Sequence, residues 1–164
     1  MSPVGLRVGQ GFDVHPWSDD MERQLVLGGV AIPDHPGLQG HSDADVIAHA
    51  CTDALLGGAG VGDIGQLFPD TDPALAGADS MALLAKAVAV VADAGWAAVN
   101  IDCTVVLDQP KIAPLRDQMQ RNLTQVVGAP VTIKGKRTEG LSSLGEGAHC
   151  FAVALLAATE GNDR

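Results

Sequence analysis

Apolar and polar residues alternate in several segments of the chain, and this two-residue period is typical of β-strands with one buried face. Near the start the alternation occurs in VGLRVGQGFDVHP, and QLVLGG and VAIP follow as two further short strand candidates. Further along it occurs in AVNIDCTVVLD and in VTIKGK. The pattern therefore predicts a chain that begins as sheet and returns to sheet in its second half.

Four other segments carry apolar residues at helical spacing. The first starts at Ser42, with Asp45 three positions later as in a capping box, and runs to the glycines at 57 and 58. The second is MALLAKAVAVVADA, which ends at Gly95, and the third is PLRDQMQRNLTQVV. We predict a closing helix over EGAHCFAVALLAATE. Helices interleaved with strands predict one α/β domain over residues 1–164.

The composition indicates the kind of core and the cellular compartment to expect for this domain. Of the 164 residues, 46% are hydrophobic and 3% aromatic, which suits a compact aliphatic core. The chain has no run of about 18 apolar residues and no secretory signal at its start, so we expect a cytoplasmic protein without a membrane partner. Cys51, Cys103 and Cys150 lie in apolar stretches, and we expect them to be core residues rather than disulfides or zinc ligands.

The formal net charge of −10 argues against a nucleic-acid partner, because binding that backbone requires clustered Lys and Arg. A phosphate ligand is compatible with this charge if metal ions, backbone N–H groups and a few lysines hold it. A basic group stands out against the acidic background, formed by Lys111, Lys134, Lys136 and Arg137. It is either a solvated surface or part of such a site.

One set of residues has the spacing of a metal site. Asp13 and His15 are two apart on a predicted strand and therefore project to the same face. His49 lies on the first predicted helix, with Asp45 and Asp53 four residues to either side on one stripe. If strand and helix meet, two imidazoles and one carboxylate suit Zn²⁺ with an open fourth position, and the spare carboxylates could orient the imidazoles. The alternative is ordinary half-buried histidines beside capping aspartates.

Two further segments have both a functional and a structural interpretation. His41 and Ser42 precede a helix, whose free N–H groups favour an anion or a hydroxyl ligand, although Ser42 alone would serve as an N-cap. The run DIGQLFPDTDP suits a loop that holds a small polyol, or simply a turn rich in Pro and Asp. GGAGVG follows a helix rather than a strand, which argues against a dinucleotide site.

A series of motifs covers nearly the whole chain. In chain order they are GFDVHPW, LVLGGVAIP, GLQGHSDADVIAHACTDALLGGAGVGDIGQLFPDTDP, GADS, NIDCTVVLDQPKIAP and TEGL followed by GEG. In this order they resemble the 2-C-methyl-D-erythritol 2,4-cyclodiphosphate synthase family. The resemblance implies a mixed β-sheet packed on one side by helices. It also implies a homotrimer around a threefold axis, with active sites shared between neighbouring subunits.

The resemblance implies a metal-dependent phosphorus–oxygen lyase of the non-mevalonate isoprenoid pathway. Its substrate is 4-diphosphocytidyl-2-C-methyl-D-erythritol 2-phosphate, and its products are the 2,4-cyclodiphosphate and CMP. Zn²⁺ would be bound by Asp13, His15 and His49, and a second divalent ion, Mg²⁺ or Mn²⁺, by Glu139. The catalytic residues would be His41, Arg137 and Thr138.

The same resemblance implies two groups of substrate-binding residues. The group around the sugar alcohol and its phosphate comprises Asp13, His15, His41, Ser42, Asp63, Ile64, Gly65, Phe68, Pro69, Asp70, Thr71 and Asp72. The group around the cytidine and the diphosphate comprises Leu107, Asp108, Gln109, Pro110, Lys111, Ile112, Ala113, Lys136, Arg137, Thr138 and Glu139.

The segment KRTEGLSSLGEG departs from the family pattern. Lys136 and Arg137 stand where threonines are usual, the loop is about two residues shorter, and Leu144 stands where an arginine is expected. The planar guanidinium of Arg137 could rebuild a phosphate contact there. The departure also supports an alternative, a trimeric paralogue that binds zinc and cytidine nucleotides with impaired or altered phosphoryl-transfer activity. A third hypothesis is a metal-dependent phosphatase on the same scaffold.

Overall fold

The structure, a computed structural model, describes residues 5–159. Six strands and five helices follow one another in the order β1 (Leu6–Pro16), β2 (Leu25–Leu27), β3 (Val30–Ile32), α1 (Val46–Ala59), α2 (Ile64–Leu67), α3 (Ser80–Asp93), β4 (Trp96–Val106), α4 (Arg116–Val127), β5 (Val131–Lys136), α5 (Ser142–Gly145) and β6 (Gly147–Ala158). A 3₁₀ turn at Pro73–Leu75 lies between α2 and α3. Within this described part, no helix is long and apolar enough to cross a membrane.

The main sheet has four strands in the order β1-β6-β4-β5. β6 is antiparallel to both of its neighbours, whereas β4 and β5 are parallel and are connected through α4. β2 and β3 form a separate hairpin. The predicted α/β class with a mixed sheet is therefore confirmed. The extent of the domain over residues 1–164 stays a prediction.

Helix α1 packs directly on β1 and β6, because small residues on one face of the sheet let the backbones approach closely. A Cβ atom built on Gly11 would lie 2.0 Å from the Ala50 carbonyl oxygen, and one built on Gly9 would lie 1.8 Å from that of Ala54. Only glycine is compatible with such contacts. The core between the sheet and the helices is aliphatic, as the composition predicts, and it includes the three cysteines as free, buried thiols.

The opposite face of the sheet carries large apolar side chains that the isolated chain leaves exposed. We call it the open sheet face, and its apolar members on β1 and β6 are Leu6, Val8, Phe12, Val14, Phe151 and Val153. The rings of Phe12 and Phe151 stack across the two strands with their centroids 4.8 Å apart. An apolar cluster of this extent on a soluble-protein surface usually marks an interface.

The prediction of a helix at the end of the chain is wrong, because this segment is strand β6. Its alanines favour a helix, but the buried residues that face α1 are small, such as Ala152 and Ala154, and they alternate with the exposed Phe151 and Val153. This two-residue alternation suits a strand buried on one face. Pairing with β1 and β4 on both sides then overrides the helical propensity of alanine.

The boundaries of α1 also differ from the prediction. Its N-cap is Asp45, whose carboxylate accepts the N–H groups of Ile47 and Ala48, so Ser42 does not cap it. The helix continues through glycines 57 and 58 to Ala59, and Gly60 closes it in the left-handed conformation. The segment with His41 and Ser42 is therefore a bent, non-helical approach to α1, not its first turn.

Candidate metal centre and adjoining cavities

Asp13, His15 and His49 converge as predicted. The Asp13 Oδ2 atom lies 3.1 Å from His15 Nε2 and 3.1 Å from His49 Nδ1. The two imidazole nitrogens are 3.3 Å apart. All three residues are only partly accessible to solvent, and among the described residues this is the one cluster of His, Cys, Asp or Glu donors close enough together to hold a metal ion.

The packing of α1 on β1 brings these side chains together. Gly9, Gly11, Asp13 and His15 alternate along β1 and face the helix. The two glycines admit the helix backbone, so the donors two and four residues further along the strand come within reach of His49. The sequence predicts the common face of Asp13 and His15, but not the contact with α1.

Outer hydrogen bonds fix which nitrogen of each imidazole points to the centre. His15 Nδ1 lies 2.7 Å from the Gln39 carbonyl oxygen, which can only accept, so Nδ1 carries the hydrogen and Nε2 faces Asp13. His49 Nε2 lies 2.8 Å from the Ser80 hydroxyl oxygen, and His49 Nδ1 faces Asp13. The inner atoms are therefore two ring nitrogens and one carboxylate oxygen.

This donor set fits a divalent metal ion of the zinc type, since two imidazoles and one carboxylate leave a fourth position open. Without a metal ion, hydrogen bonds from the histidines stabilise the Asp13 carboxylate. Burial by itself would raise the pKa of Asp13, but its hydrogen bonds to His15 and His49 outweigh burial and lower it to about 2. Burial would lower the pKa of His15, whereas the Asp13 carboxylate raises it by more. The three residues thus form a metal-binding site.

The predicted role of Asp45 and Asp53 in orienting the imidazoles is wrong. The Asp45 carboxylate is fully buried and binds the N–H groups of Gly28 and Gly29 besides capping α1. Asp53 accepts the N–H group of Ile64. The true outer partners are the Gln39 carbonyl and Ser80, which sequence spacing does not reveal because they lie in distant segments.

A cavity of about 470 Å³ opens beside the metal centre. Ten residues of the predicted sites line it, namely Asp13, His15, His41, Ser42, His49, Ile64, Gly65, Phe68, Pro69 and Asp70. Gly40, Leu75 and Leu83 also line it and were not predicted. Its wall is mostly apolar beyond the metal centre. The cavity therefore suits a small ligand with an anionic group at the centre and a carbon skeleton along α2.

Three predicted residues of this group lie beside the cavity rather than in its lining. Asp63 is the N-cap of α2 and accepts the backbone N–H of Gln66 at 2.8 Å. Asp72 caps the 3₁₀ turn, and its carbonyl oxygen accepts the His41 Nε2 hydrogen at 3.0 Å. Thr71 is exposed next to it. The capping roles of Asp63 and Asp72 agree with the alternative interpretation of DIGQLFPDTDP, a turn rich in Pro and Asp.

A second, separate cavity of about 200 Å³ lies at the end of β4 and β5. Six predicted residues of the loop after β4 line it, Lys111 among them, and three further cations, Arg116, Lys136 and Arg137, line it as well. Arg116 was not predicted. The predicted loop residue Gln109 lies outside the lining, and Lys134 pairs with Asp102 on the sheet instead. The described residues thus concentrate positive charge at one cavity of an acidic chain.

Thr138 and Glu139 follow β5 next to this second cavity without lining it. Thr138 is buried, and its N–H and hydroxyl groups donate to the Asp108 carboxylate at 3.1 and 2.6 Å. These hydrogen bonds lower the pKa of Asp108. Glu139 is exposed and has a φ of 53°, which a non-glycine residue rarely adopts. Neither residue belongs to the donor cluster of Asp13, His15 and His49 among the described residues.

Comparisons with known proteins agree with this geometry. A model of the YgbB family matches residues 6–158. The 2-C-methyl-D-erythritol 2,4-cyclodiphosphate synthase of Bordetella petrii is 57% identical over 159 residues, which cover 94% of this chain and 97% of the relative.

Solved structures extend the likeness to the fold. A 2C-methyl-D-erythritol-2,4-cyclodiphosphate synthase in its CDP-bound form is 37% identical, with a TM-score of 0.83 over 92% of this chain and 99% of the other. IspF of Plasmodium falciparum in complex with CDP is 33% identical, with a TM-score of 0.79 over 96% and 99% of the two chains. Since the family model spans almost all of the described residues and the relatives align over nearly their full length, the chain belongs to the YgbB family.

Proposed function

We propose that this chain is a 2-C-methyl-D-erythritol 2,4-cyclodiphosphate synthase. It converts 4-diphosphocytidyl-2-C-methyl-D-erythritol 2-phosphate to the 2,4-cyclodiphosphate and CMP in the non-mevalonate isoprenoid pathway. The observation that carries the proposal is the convergence of Asp13, His15 and His49 at the end of a cavity of the right size for a phosphorylated sugar alcohol. The name of the Bordetella petrii relative supports it.

The reaction is an internal phosphoryl transfer. An oxygen of the 2-phosphate forms a bond to the β-phosphorus, the bond from that phosphorus to the bridging oxygen breaks, and CMP leaves with that oxygen. A phosphate dianion is a competent nucleophile, so the chain contributes positioning and charge stabilisation rather than a covalent intermediate. Holding the two ends of one molecule together supplies several kcal/mol of the barrier reduction, by analogy with oriented intramolecular reactions.

We propose Zn²⁺ as the ion at Asp13, His15 and His49. When bound, such an ion polarises the phosphoryl group under attack and offsets its growing negative charge. His41 and Ser42 would hold the phosphate beside it, and Ile64, Gly65 and Phe68 would flank the carbon skeleton. Asp63, Asp70, Thr71 and Asp72 would bind hydroxyl groups of the substrate, and Pro69 would line the cavity beside them.

The cytidine would occupy the second cavity, on the loop from Leu107 to Ala113 with Lys111. Two solved relatives are complexes with CDP, which supports a cytidine nucleotide as ligand. Because the two cavities are separate in one subunit, we propose a homotrimer in which the cytidine cavity of one copy adjoins the metal centre of the next. The open sheet face supplies an apolar surface for that assembly.

The diphosphate would lie between the two cavities. We propose that Glu139 binds a second divalent ion, Mg²⁺ or Mn²⁺, and that Arg137 and Thr138 stabilise the developing charge. Arg137 and Lys136 take positions where the family usually has threonines. Their cations line the second cavity and offer stronger, charge-assisted hydrogen bonds to phosphate than hydroxyls do. The altered loop is therefore compatible with turnover.

The proposal is tested by incubating the purified protein with the substrate, Zn²⁺ and Mg²⁺ and following CMP and the cyclic product. We expect both in equal amounts. The His49→Ala variant should lose its zinc and lower the rate by about a hundredfold or more, since metal-based charge stabilisation is worth several kcal/mol. Full zinc content in that variant, or CMP release without the cyclic product, would contradict the proposal.

A further inference from the structure

The outer side of His49 faces a polar cluster of Ser80, Ser42 and Asp43, and no role is predicted for Ser80 or Asp43. Its Nε2 atom lies 2.8 Å from Ser80 Oγ and 3.1 Å from Ser42 Oγ. Ser80 is completely buried at the start of α3, and its hydroxyl group donates to the Asp43 carboxylate. Asp43 is thus linked to the metal centre through one hydroxyl group and one imidazole.

The directions of these hydrogen bonds follow from the chemistry of the groups. The Asp43 carboxylate accepts from Ser80 Oγ, from the Ser80 N–H at 3.1 Å and from the Asp45 N–H at 3.2 Å. Because the only hydroxyl hydrogen of Ser80 goes to Asp43, Ser80 Oγ can only accept from His49. His49 Nε2 therefore carries a hydrogen, and Nδ1, which faces Asp13, is the nitrogen whose lone pair a metal ion would take.

The second hydroxyl group near His49 has other partners. Ser42 Oγ accepts the N–H of Ala44 at 3.2 Å and lies 3.3 Å from Ser80 Oγ, to which its hydrogen can be donated. An imidazole Nε2 has one hydrogen, and the shorter distance assigns it to Ser80. The two serines, both buried and both near Nε2, therefore differ in their hydrogen bonds to His49.

We propose that Ser80, held by Asp43, is a positioning residue that makes His49 a stronger metal ligand. The chain His49–Ser80–Asp43 fixes the ring orientation and the tautomer, and the carboxylate at its end increases the electron density on Nδ1. Outer partners of metal-bound histidines act in this way, usually through a direct carboxylate or carbonyl contact. Here a serine from another helix bridges the gap. The inference rests on the proposed metal role of His49.

The test compares Ser80→Ala with Ser42→Ala, which removes the other buried hydroxyl near the same nitrogen. Zinc dissociation constants are measured by competition with a chelator, and the spectrum of the Co²⁺-substituted protein reports the ligand field. We expect Ser80→Ala to weaken zinc binding by about 10- to 100-fold and to shift the Co²⁺ bands. Ser42→Ala should change the constant by less than about threefold, because the link to Asp43 persists.

Two further variants separate positioning from packing. Ser80→Thr retains the hydroxyl group and should bind zinc within about threefold of wild type. Asp43→Asn retains an acceptor but removes the charge, so an intermediate loss is expected, and it serves as the test if Ser80→Ala does not fold. Thermal unfolding of the metal-free proteins shows which variants fold.

Equal zinc affinities in the folded wild type and the Ser80→Ala or Asp43→Asn variant would overturn the positioning role. So would equal losses in Ser80→Ala and Ser42→Ala. If the wild type itself binds no zinc, the proposed metal centre fails instead. The two failures are therefore distinguishable without any activity measurement.

Discussion

At the scale of single residues, the metal centre depends on groups that do not touch the metal position. The Gln39 carbonyl and the Ser80 hydroxyl each hold the outer nitrogen of an imidazole, and the inner nitrogens then face Asp13. In the metal-free protein this arrangement holds a proton near His15, whose pKa the Asp13 carboxylate raises against the opposing effect of burial. A metal ion and a proton therefore compete for the inner nitrogen of His15, which faces Asp13.

This competition predicts a pH-dependent zinc affinity. A group with a raised pKa keeps its proton to higher pH, and zinc must displace that proton from His15. We expect the apparent affinity to fall by about tenfold or more between about pH 8 and about pH 6, in chelator competition at constant ionic strength. An affinity that stays constant over this range would contradict the arrangement of donors.

A second residue-scale prediction concerns Asp63. The Asp63→Ala variant should lower kcat/KM by about 10- to 100-fold, because a hydrogen bond between a carboxylate and a substrate hydroxyl is worth about 1.5–3 kcal/mol. Zinc content should be unchanged, since Asp63 is not among the three donors. Asp63→Asn is the control, because asparagine also caps α2. Full activity in Asp63→Ala, or loss of its zinc, would refute this role.

At the scale of elements, the site exists because α1 lies unusually close to β1. Gly9 and Gly11 create this contact on the same strand face that carries Asp13 and His15. The position of His49 therefore depends on residues that carry no functional group. Any side chain at Gly11 would force the helix backbone away from the strand.

We expect Gly11→Ala to destabilise the protein by about 3 kcal/mol or more and to weaken zinc binding, since its Cβ would meet a backbone oxygen that cannot move alone. Gly57→Ala is the matched control, because apart from the neighbouring backbone of α1 no atom lies within 4 Å of its added Cβ. That change should stabilise α1 by about 0.5–1 kcal/mol. Denaturant unfolding and zinc titration measure both effects, and equal behaviour of the two variants would disprove the close-contact argument.

The elements also show which features of the fold and the site can be predicted from the sequence. Asp13 and His15 were placed correctly on one strand face because the strand period is local. The closing strand β6 was missed because its alanines favour a helix until neighbouring strands pair with it. Ser80 was missed because it lies 31 residues from His49, and only the packing of α3 against α1 makes them neighbours.

At the scale of the whole molecule, two features of the single chain support the proposed assembly with other copies. The metal centre and the cationic cavity are separate, and the open sheet face exposes apolar side chains. Packing the sheets of three copies together would cover that face and bring cavities of adjacent copies together. The trimer is thus part of the proposed active site.

Light scattering should give three times the chain mass of 16.8 kDa. Phe151→Glu places a charge on the open sheet face, so we expect a smaller species that lacks activity but retains part of its zinc affinity. Val61→Glu, at an exposed apolar residue after α1, should leave the assembly unchanged. A wild-type monomer with full activity would refute the shared site.

The central claim is that the 2-phosphate of the substrate, rather than water, attacks the β-phosphorus. The most direct measurement is a reaction in water enriched in oxygen-18, with CMP and the second product analysed by mass spectrometry. An internal attack transfers no solvent oxygen, so we predict unlabelled CMP and an unlabelled cyclic diphosphate. A solvent oxygen in either product, with a linear phosphate in place of the ring, would show hydrolysis and contradict the account.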